Sequence, residues 1–140
     1  MKKINFIISI FLVLIMNSCN ESRDIKYLSG YWEISSVSVS GKELKNYPFS
    51  GTIDYFILDE KNNGYRKKVK PRLDGNFDIT MHEIQFKINK QKNDIYLVYG
   101  KGENFKEKLV KLDSMKLILR NTDGLIYKYK RFYPKNFLDE

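Results

Sequence analysis

Downstream of residue 30, the chain is built from short runs in which apolar and polar residues alternate. Ile84, Phe86 and Ile88 alternate with two polar residues, and turn-forming pairs such as Asp123-Gly124 separate one run from the next. Alternation with a period of two places the apolar side chains on one face of a β-strand. About eight such runs, without long helical periodicity, predict an all-β, up-and-down antiparallel sandwich or barrel.

The N-terminal segment has the organisation of a secretory signal. Lys2 and Lys3 precede the apolar run Ile4–Met16, and Ser18 stands directly before Cys19. The apolar run is shorter than the roughly 20 residues that a transmembrane helix needs. The arrangement resembles the bacterial, Bacteroidetes-type lipoprotein signal, in which a small residue precedes an obligatory cysteine.

This resemblance implies a lipid anchor at Cys19. The thiol would be diacylglycerylated, the chain cut before it and the new amino group acylated, so that several acyl chains hold the protein in the outer membrane. Arg23 separates Glu21 from Asp24, which weakens any acidic signal for surface export. We therefore expect a periplasm-facing position rather than the cell surface. The alternative is an ordinary secretory signal with an incidental cysteine.

Composition limits the partners of the mature chain. Cys19 is the only cysteine, so we expect no disulfide in the folded domain. The formal net charge of +8 falls to +6 when Lys2 and Lys3 leave with the signal. Basic residues are interleaved with acids, as in Lys106-Glu107-Lys108, which favours a solvated outer face, and export makes nucleic acid the least expected of the acidic partners. We expect a membrane partner through the acyl chains and no nucleic-acid partner.

Both ends of the predicted domain resemble the small bacterial lipocalin-like domains. Leu28, Gly30 and Trp32 fit an opening stretch that ends a short helical turn and begins the first strand, and Tyr127–Phe132 fits an aromatic and basic last strand. The resemblance implies an eight-stranded barrel whose tryptophan closes one end, with Arg131 as its cation–π partner. The predicted divisions are residues 1–18 as signal peptide, 19–27 as lipidated tether, 28–134 as barrel and 135–140 as tail.

The barrel interior is the predicted ligand site, because eight strands enclose room for packed side chains or for one small ligand. The candidate lining residues are uncharged members of alternating faces: Trp32, Ile34, Ile53, Tyr55, Ile57, Phe86, Tyr127 and Tyr129. The first functional hypothesis is a lipid-anchored envelope protein that binds a small apolar or amphipathic molecule. The alternative for the same residues is simple core packing.

A second hypothesis uses the outer surface. The densest basic cluster contains Arg66, Lys67 and Lys68, which could dock an acidic partner or lipid headgroups. The protein would then be a non-enzymatic accessory subunit of an outer-membrane complex. A solvated edge strand is the alternative, since lysines also block edge-to-edge pairing.

The sequence gives little indication of catalysis. His82 is the only histidine, and its neighbour Glu83 would point to the opposite face of a strand, so we interpret His82 as a surface or turn residue. Gly100 and Gly102 precede no predicted helix, which argues against phosphate binding. We expect neither enzyme activity nor a metal or other cofactor.

One short motif indicates a modification. Asp113-Ser114-Met115 resembles the O-glycosylation motif that Bacteroidetes use on exported proteins, and it falls at a predicted turn. Ser114 is therefore a candidate glycosylation site, although three-residue matches also arise by chance.

Overall fold

A computed structural model describes residues 24–100 and 105–135 as a 3₁₀ turn followed by antiparallel strands. The 3₁₀ turn spans Ile25–Leu28. The strands are β1 Gly30–Val39, β2 Lys42–Asn46, β3 Ile53–Leu58, β4 Asn63–Pro71, β5 Phe77–Ile79, β6 Ile84–Gln91, β7 Asp94–Tyr99, β8 Phe105–Leu112, β9 Lys116–Asn121 and β10 Leu125–Phe132. The helical turn predicted near residues 24–28 is present.

Eight of these strands close into a barrel. The pairing runs from β1 through β3, β4, β6, β7, β8 and β9 to β10, and β10 pairs back with β1. The closing pair is long, because its register extends from Tyr31 opposite Phe132 to Val39 opposite Leu125. The prediction of an all-β, antiparallel, eight-stranded barrel is confirmed.

The other two strands extend one end of the barrel. β2 pairs with the second half of β1, and β5 pairs with the last residues of β4. β2 has the sequence Lys-Glu-Leu-Lys-Asn and every residue in it is exposed. Sequence alternation does not predict this strand because neither of its faces is buried.

The 3₁₀ turn closes the opposite end. Leu28 is fully buried there and packs in one core with Trp32, Leu97, Leu109 and Leu117. The indole Nε1 of Trp32 donates to the Leu28 carbonyl at 2.8 Å. We call this the closed end of the barrel, and the end that carries β2 the open end.

Arg131 completes the closed end as the sequence predicts. Its guanidinium carbon lies 3.7 Å from the centroid of the Trp32 ring, a cation–π contact. Its Nη1 donates to the Ser29 carbonyl at 2.9 Å and its Nε to the Ser114 carbonyl at 3.0 Å. Arg131 therefore joins β10 to the 3₁₀ turn and to the β8–β9 turn.

Two sequence predictions fall on parts of the chain that the structure does not describe. Cys19, with the signal peptide, and most of the 135–140 tail lie outside the described residues. Within residues 24–100 and 105–135, none of the helical structure is long and apolar enough to cross a membrane.

Candidate ligand-binding site in the barrel

The guanidinium of Arg66 crosses the inside of the barrel. From β4, its Nε and Nη2 donate to the two Asp54 carboxylate oxygens at 3.3 and 3.2 Å. Its Nη1 donates to Glu107 Oε2 at 3.3 Å and to the Tyr99 hydroxyl at 3.5 Å, and Nη2 donates to the Tyr129 hydroxyl at 2.8 Å. β7, β8 and β10 are not sheet neighbours of β4, so these contacts can form only through the interior.

This set of contacts uses the full donor capacity of an arginine. The guanidinium has five N–H groups, and each is directed to one of the contacts above. The carbon of the guanidinium also lies 5.1 Å from the centroid of the Phe56 ring. The Arg66 side chain is only 17% exposed. Arg66 therefore fills the middle of the barrel with a satisfied, charged group.

Electrostatics keep this charge in place. Burial disfavours the charged form of Arg66, but Tyr129, Asp54, Tyr99 and Glu107 outweigh it and raise the pKa of the guanidinium well above its ordinary value. Burial also raises the pKa of Tyr99 and of Tyr129 well above that of a free phenol. Both hydroxyls are therefore protonated, and Tyr99 donates to Glu107 Oε2 at 2.6 Å.

Lys68 extends the cluster toward the open end. Its ammonium donates to both oxygens of Asp54, at 3.1 and 3.4 Å, and its side chain is 36% exposed. The cluster thus holds two carboxylates and two cations, which balance each other. We call it the ionic layer, and its members are Asp54, Arg66, Lys68, Tyr99, Glu107 and Tyr129.

An apolar wall stands above the ionic layer at the open end. Tyr127 is two residues from Tyr129 and shares its inward face, and Val37 lies opposite Tyr127 on β1. Val39 and Leu125 continue the same face, and all four residues are half-buried. β2 continues the sheet at this end and is exposed on both faces, so solvent reaches the wall. We call this wall, with Lys68 below it, the barrel mouth.

A model of the lipocalin-like domain family matches residues 28–119, which is more than half of the chain. The chain belongs to the lipocalin-like domain family. Comparison with curated proteins and with solved structures gave no significant match. Lipocalin-like folds are generally binding folds rather than enzymes, and this barrel suggests binding of a small ligand.

The lipocalin-like barrel places five of the predicted lining residues inside. Trp32, Phe86 and Tyr129 are buried in the core, and Ile34 and Tyr127 pack against it while partly exposed. The Phe86 ring meets Phe56 edge-on, with centroids 6.1 Å apart. Tyr127 belongs to the barrel mouth, whereas Ile34 lies opposite Tyr129 at the level of the ionic layer. Contact with a ligand stays a prediction for all five residues.

Tyr55 lies on the outer face, so its prediction as interior lining was wrong. Its ring stacks on Tyr31 with a centroid distance of 4.4 Å. Ile53 and Ile57 share this outer face, because Asp54 and Phe56 between them point inward. The sequence suggested the reverse, since Asp54 is the only charged residue in β3 and a lone charge is usually placed in water.

The predicted docking cluster is also divided between the two faces. Only Lys67 lies outside, with its ammonium 5.6 and 5.3 Å from the ring centroids of Tyr55 and Tyr65. Arg66 and Lys68 point inward to the ionic layer, so the prediction that they form an outer docking surface was wrong. The physical reason is that their charges are compensated by Asp54 and Glu107 inside the barrel.

Sequence reasoning missed the acidic half of the ionic layer. Glu107 precedes Leu109 by two residues and Asp54 precedes Phe56 by two, so each acid occupies the apolar register of its strand. A charged residue in an apolar register indicates a buried partner of opposite charge. That signal could have identified Asp54 and Glu107, but not which cation they meet.

The remaining candidates lie away from the barrel mouth. His82 is exposed in the β5–β6 connection, as a surface or turn residue would be, and Ser114 is exposed in the β8–β9 turn. Gly100 is described but Gly102 is not. In the described ranges, no group of three histidine, cysteine, aspartate or glutamate side chains could hold a metal ion.

Proposed function

We propose that this lipocalin-like protein is a lipid-anchored envelope protein that binds one small amphipathic molecule at the barrel mouth. The observation that carries the proposal is the half-exposed apolar wall directly above a charge-balanced ionic layer. Because Arg66 fills the middle of the barrel, the ligand rests on the ionic layer instead of entering the closed end.

The mouth favours a ligand with one apolar and one polar part. Val37, Val39 and Leu125 offer apolar surface, Tyr127 adds a hydroxyl to the wall, and the Lys68 ammonium offers hydrogen bonds at the ionic layer. Apolar surface with a few polar groups beside it is the composition typical of small-molecule sites. The polar end of the ligand would therefore point down toward Lys68.

The anchor gives the barrel an orientation. Asp24 begins the described chain beside the closed end, and it follows Cys19 by five residues, which span at most about 18 Å. Acyl chains on Cys19 would therefore hold the closed end near the outer membrane. The barrel mouth would face away from the lipid, into the periplasm.

Native mass spectrometry of the detergent-extracted protein tests both parts of the proposal. We expect a chain cut before Cys19 with added acyl mass, and a second mass that leaves on activation. Val37→Asp places a charge in the apolar wall and should remove the ligand mass. Val98→Asp is the control, because Val98 is half-buried on the outer face between Lys87 and Lys106.

The two parts fail separately. An intact N-terminus without acyl mass would contradict the anchor and leave the ligand site standing. Ligand mass that persists in Val37→Asp, or that is lost equally in Val98→Asp, would contradict binding at the mouth.

The second candidate function, an accessory subunit that docks a partner protein, is favoured by a different observation. Aromatic and apolar side chains are concentrated on one part of the outer face.

A further inference from the structure

Five aromatic rings lie in mutual contact on the outside of the barrel. Tyr31 stacks between Tyr55 and Phe77, with both centroid distances 4.4 Å. Tyr65 meets the edge of Tyr55 at 6.5 Å, and Phe132 meets Phe77 at 6.3 Å. These residues come from β1, β3, β4, β5 and β10, and we call them the aromatic wall. All five residues are half-buried, and contiguous apolar surface on the outside of a domain is typical of an interaction site.

A groove of ≈ 580 Å³ adjoins the aromatic wall. Its apolar lining comes from Phe49, Pro71, Leu73, Phe77, Phe132, Tyr133 and Pro134. Three of these side chains are largely exposed: Phe49 at 74%, Leu73 at 70% and Tyr133 at 60%. We call this recess the outer groove. Its exposed apolar rim gives anchoring contacts that the domain itself does not bury.

The charge around the outer groove is mainly positive. Its lining contains Arg72, Lys130, Arg131 and Lys135 but one acid, Glu33.

Two of the four cations are compensated nearby. Lys130 is paired with Glu33 at 3.0 Å, and Arg72 forms exposed ion pairs with Asp74 and Asp78. Arg131 turns toward the closed end, where its guanidinium stacks on Trp32. Lys135 adds an exposed positive charge at the groove, and the Arg72 and Lys130 side chains stay 54% and 51% exposed while that of Glu33 is 7% exposed.

We propose that the outer groove and the aromatic wall dock an acidic, apolar segment of a partner protein. Aromatic side chains and arginine are the residue types most enriched at protein interfaces. The positive lining selects a segment that carries acids beside its apolar anchors. The contact is independent of the barrel mouth, and it gives the accessory-subunit function a defined surface.

The shape of the site favours a polypeptide over a small molecule. A single small ligand would cover the groove but not the aromatic wall beside it, which reaches across to Tyr65 on β4. An extended polypeptide segment can contact both the outer groove and the aromatic wall.

Labelled peptides test the proposal on the full chain in detergent. One peptide alternates leucine and phenylalanine with glutamate, and a second has lysine in place of every glutamate. We expect the acidic peptide to bind at least roughly tenfold more tightly, the size of one strong interface contact. Leu73→Asp should weaken the acidic peptide by a similar factor, since it removes an exposed anchor and adds repulsion.

Two control variants separate the outer groove from other surfaces. Leu44→Asp changes an exposed apolar residue on β2 and should leave binding of the acidic peptide unchanged. Val37→Asp, which tests the barrel mouth, should also leave it unchanged. Loss of peptide binding in Val37→Asp would place the contact at the mouth and overturn the proposal.

Five further outcomes would overturn it. Absence of binding, equal binding of both peptides, or equal effects of Leu73→Asp and Leu44→Asp would remove the basis for a selective groove. Binding that arises only after residues 136–140 are deleted would show that the chain's own tail is the occupant. Anionic phosphatidylglycerol vesicles form a separate arm. Binding to them that Leu73→Asp abolishes, without peptide binding, would assign the groove to a lipid surface.

Discussion

Arg66 and Glu107 belong to strands that are not neighbours in the sheet, yet Arg66 Nη1 lies 3.3 Å from Glu107 Oε2. This ion pair crosses the barrel and separates a packed closed end from an open mouth. It also limits what the barrel can hold, because the space that a deep ligand would need contains the protein's own guanidinium.

Removal of one acid from the ionic layer should destabilise the fold. Asp54→Ala leaves Arg66 and Lys68 without their shared carboxylate, and breaking a buried pair costs about 3 kcal/mol of unfolding free energy. Glu60→Ala, at an exposed turn residue, should change it by less than about 0.5 kcal/mol. Urea unfolding measures both. Equal stabilities of the two variants would contradict a structural role for the ionic layer.

A methyl group at Gly30 should disturb the closed end. Gly30 has a φ of +123°, and a Cβ there would lie 2.5 Å from Arg131 Nη1. Gly41 has a φ of +77° with open space around it. Gly30→Ala should therefore cost roughly 2 kcal/mol and Gly41→Ala roughly 1 kcal/mol, because both strain the backbone but only the first displaces Arg131. Thermal unfolding of the two variants checks the order, and the reverse order would refute this reasoning.

Stability should fall in alkaline solution. The pKa of Tyr99 and Tyr129 is raised in the folded state above the ordinary value of 10.0, chiefly by burial. Their contribution is complete below that value and is lost as the pH rises further, because the unfolded phenols ionise while the folded ones hold their protons.

Urea unfolding between neutral pH and pH values above 10 measures this decline. Tyr129→Phe removes one of the two phenols, so its stability should decline less steeply with pH than that of the wild type. The same steepness in both proteins would contradict the assignment.

Ser114 should carry a glycan if the motif is used. The hydroxyl lies in an exposed turn that the Asp113 carboxylate holds by accepting from the Met115 and Lys116 amides at 2.8 and 2.7 Å. Ser114→Ala keeps this turn and should remove only the glycan mass. Glycopeptide mass spectrometry of the protein from its native host measures whether Ser114 carries a glycan. An unmodified Ser114 peptide would contradict the prediction.

Local sequence patterns predicted most of the strands and the lipocalin-like resemblance. Alternation, as in β6, β7 and β10, with turns between the runs, predicted about eight antiparallel strands in a sandwich or barrel. The lipocalin-like resemblance then implied the barrel, and its opening and closing motifs located Trp32 and Arg131 correctly. The lipid anchor at Cys19 also rests on sequence alone and stays a prediction. Local patterns are sufficient for these predictions because strand alternation, turns and signal segments each depend on residues that are adjacent in the sequence.

The inward faces of β3 and β4 could be assigned only from the three-dimensional fold. A period of two defines two faces but not their direction, and Asp54, Arg66 and Lys68 look like surface charges until their partners are known. Those partners stand on distant strands: Arg66 meets Glu107 and Tyr129 only when β10 closes onto β1. When the barrel closes, these charged side chains lose their water and contact each other instead. No local sequence pattern shows which side chains will meet.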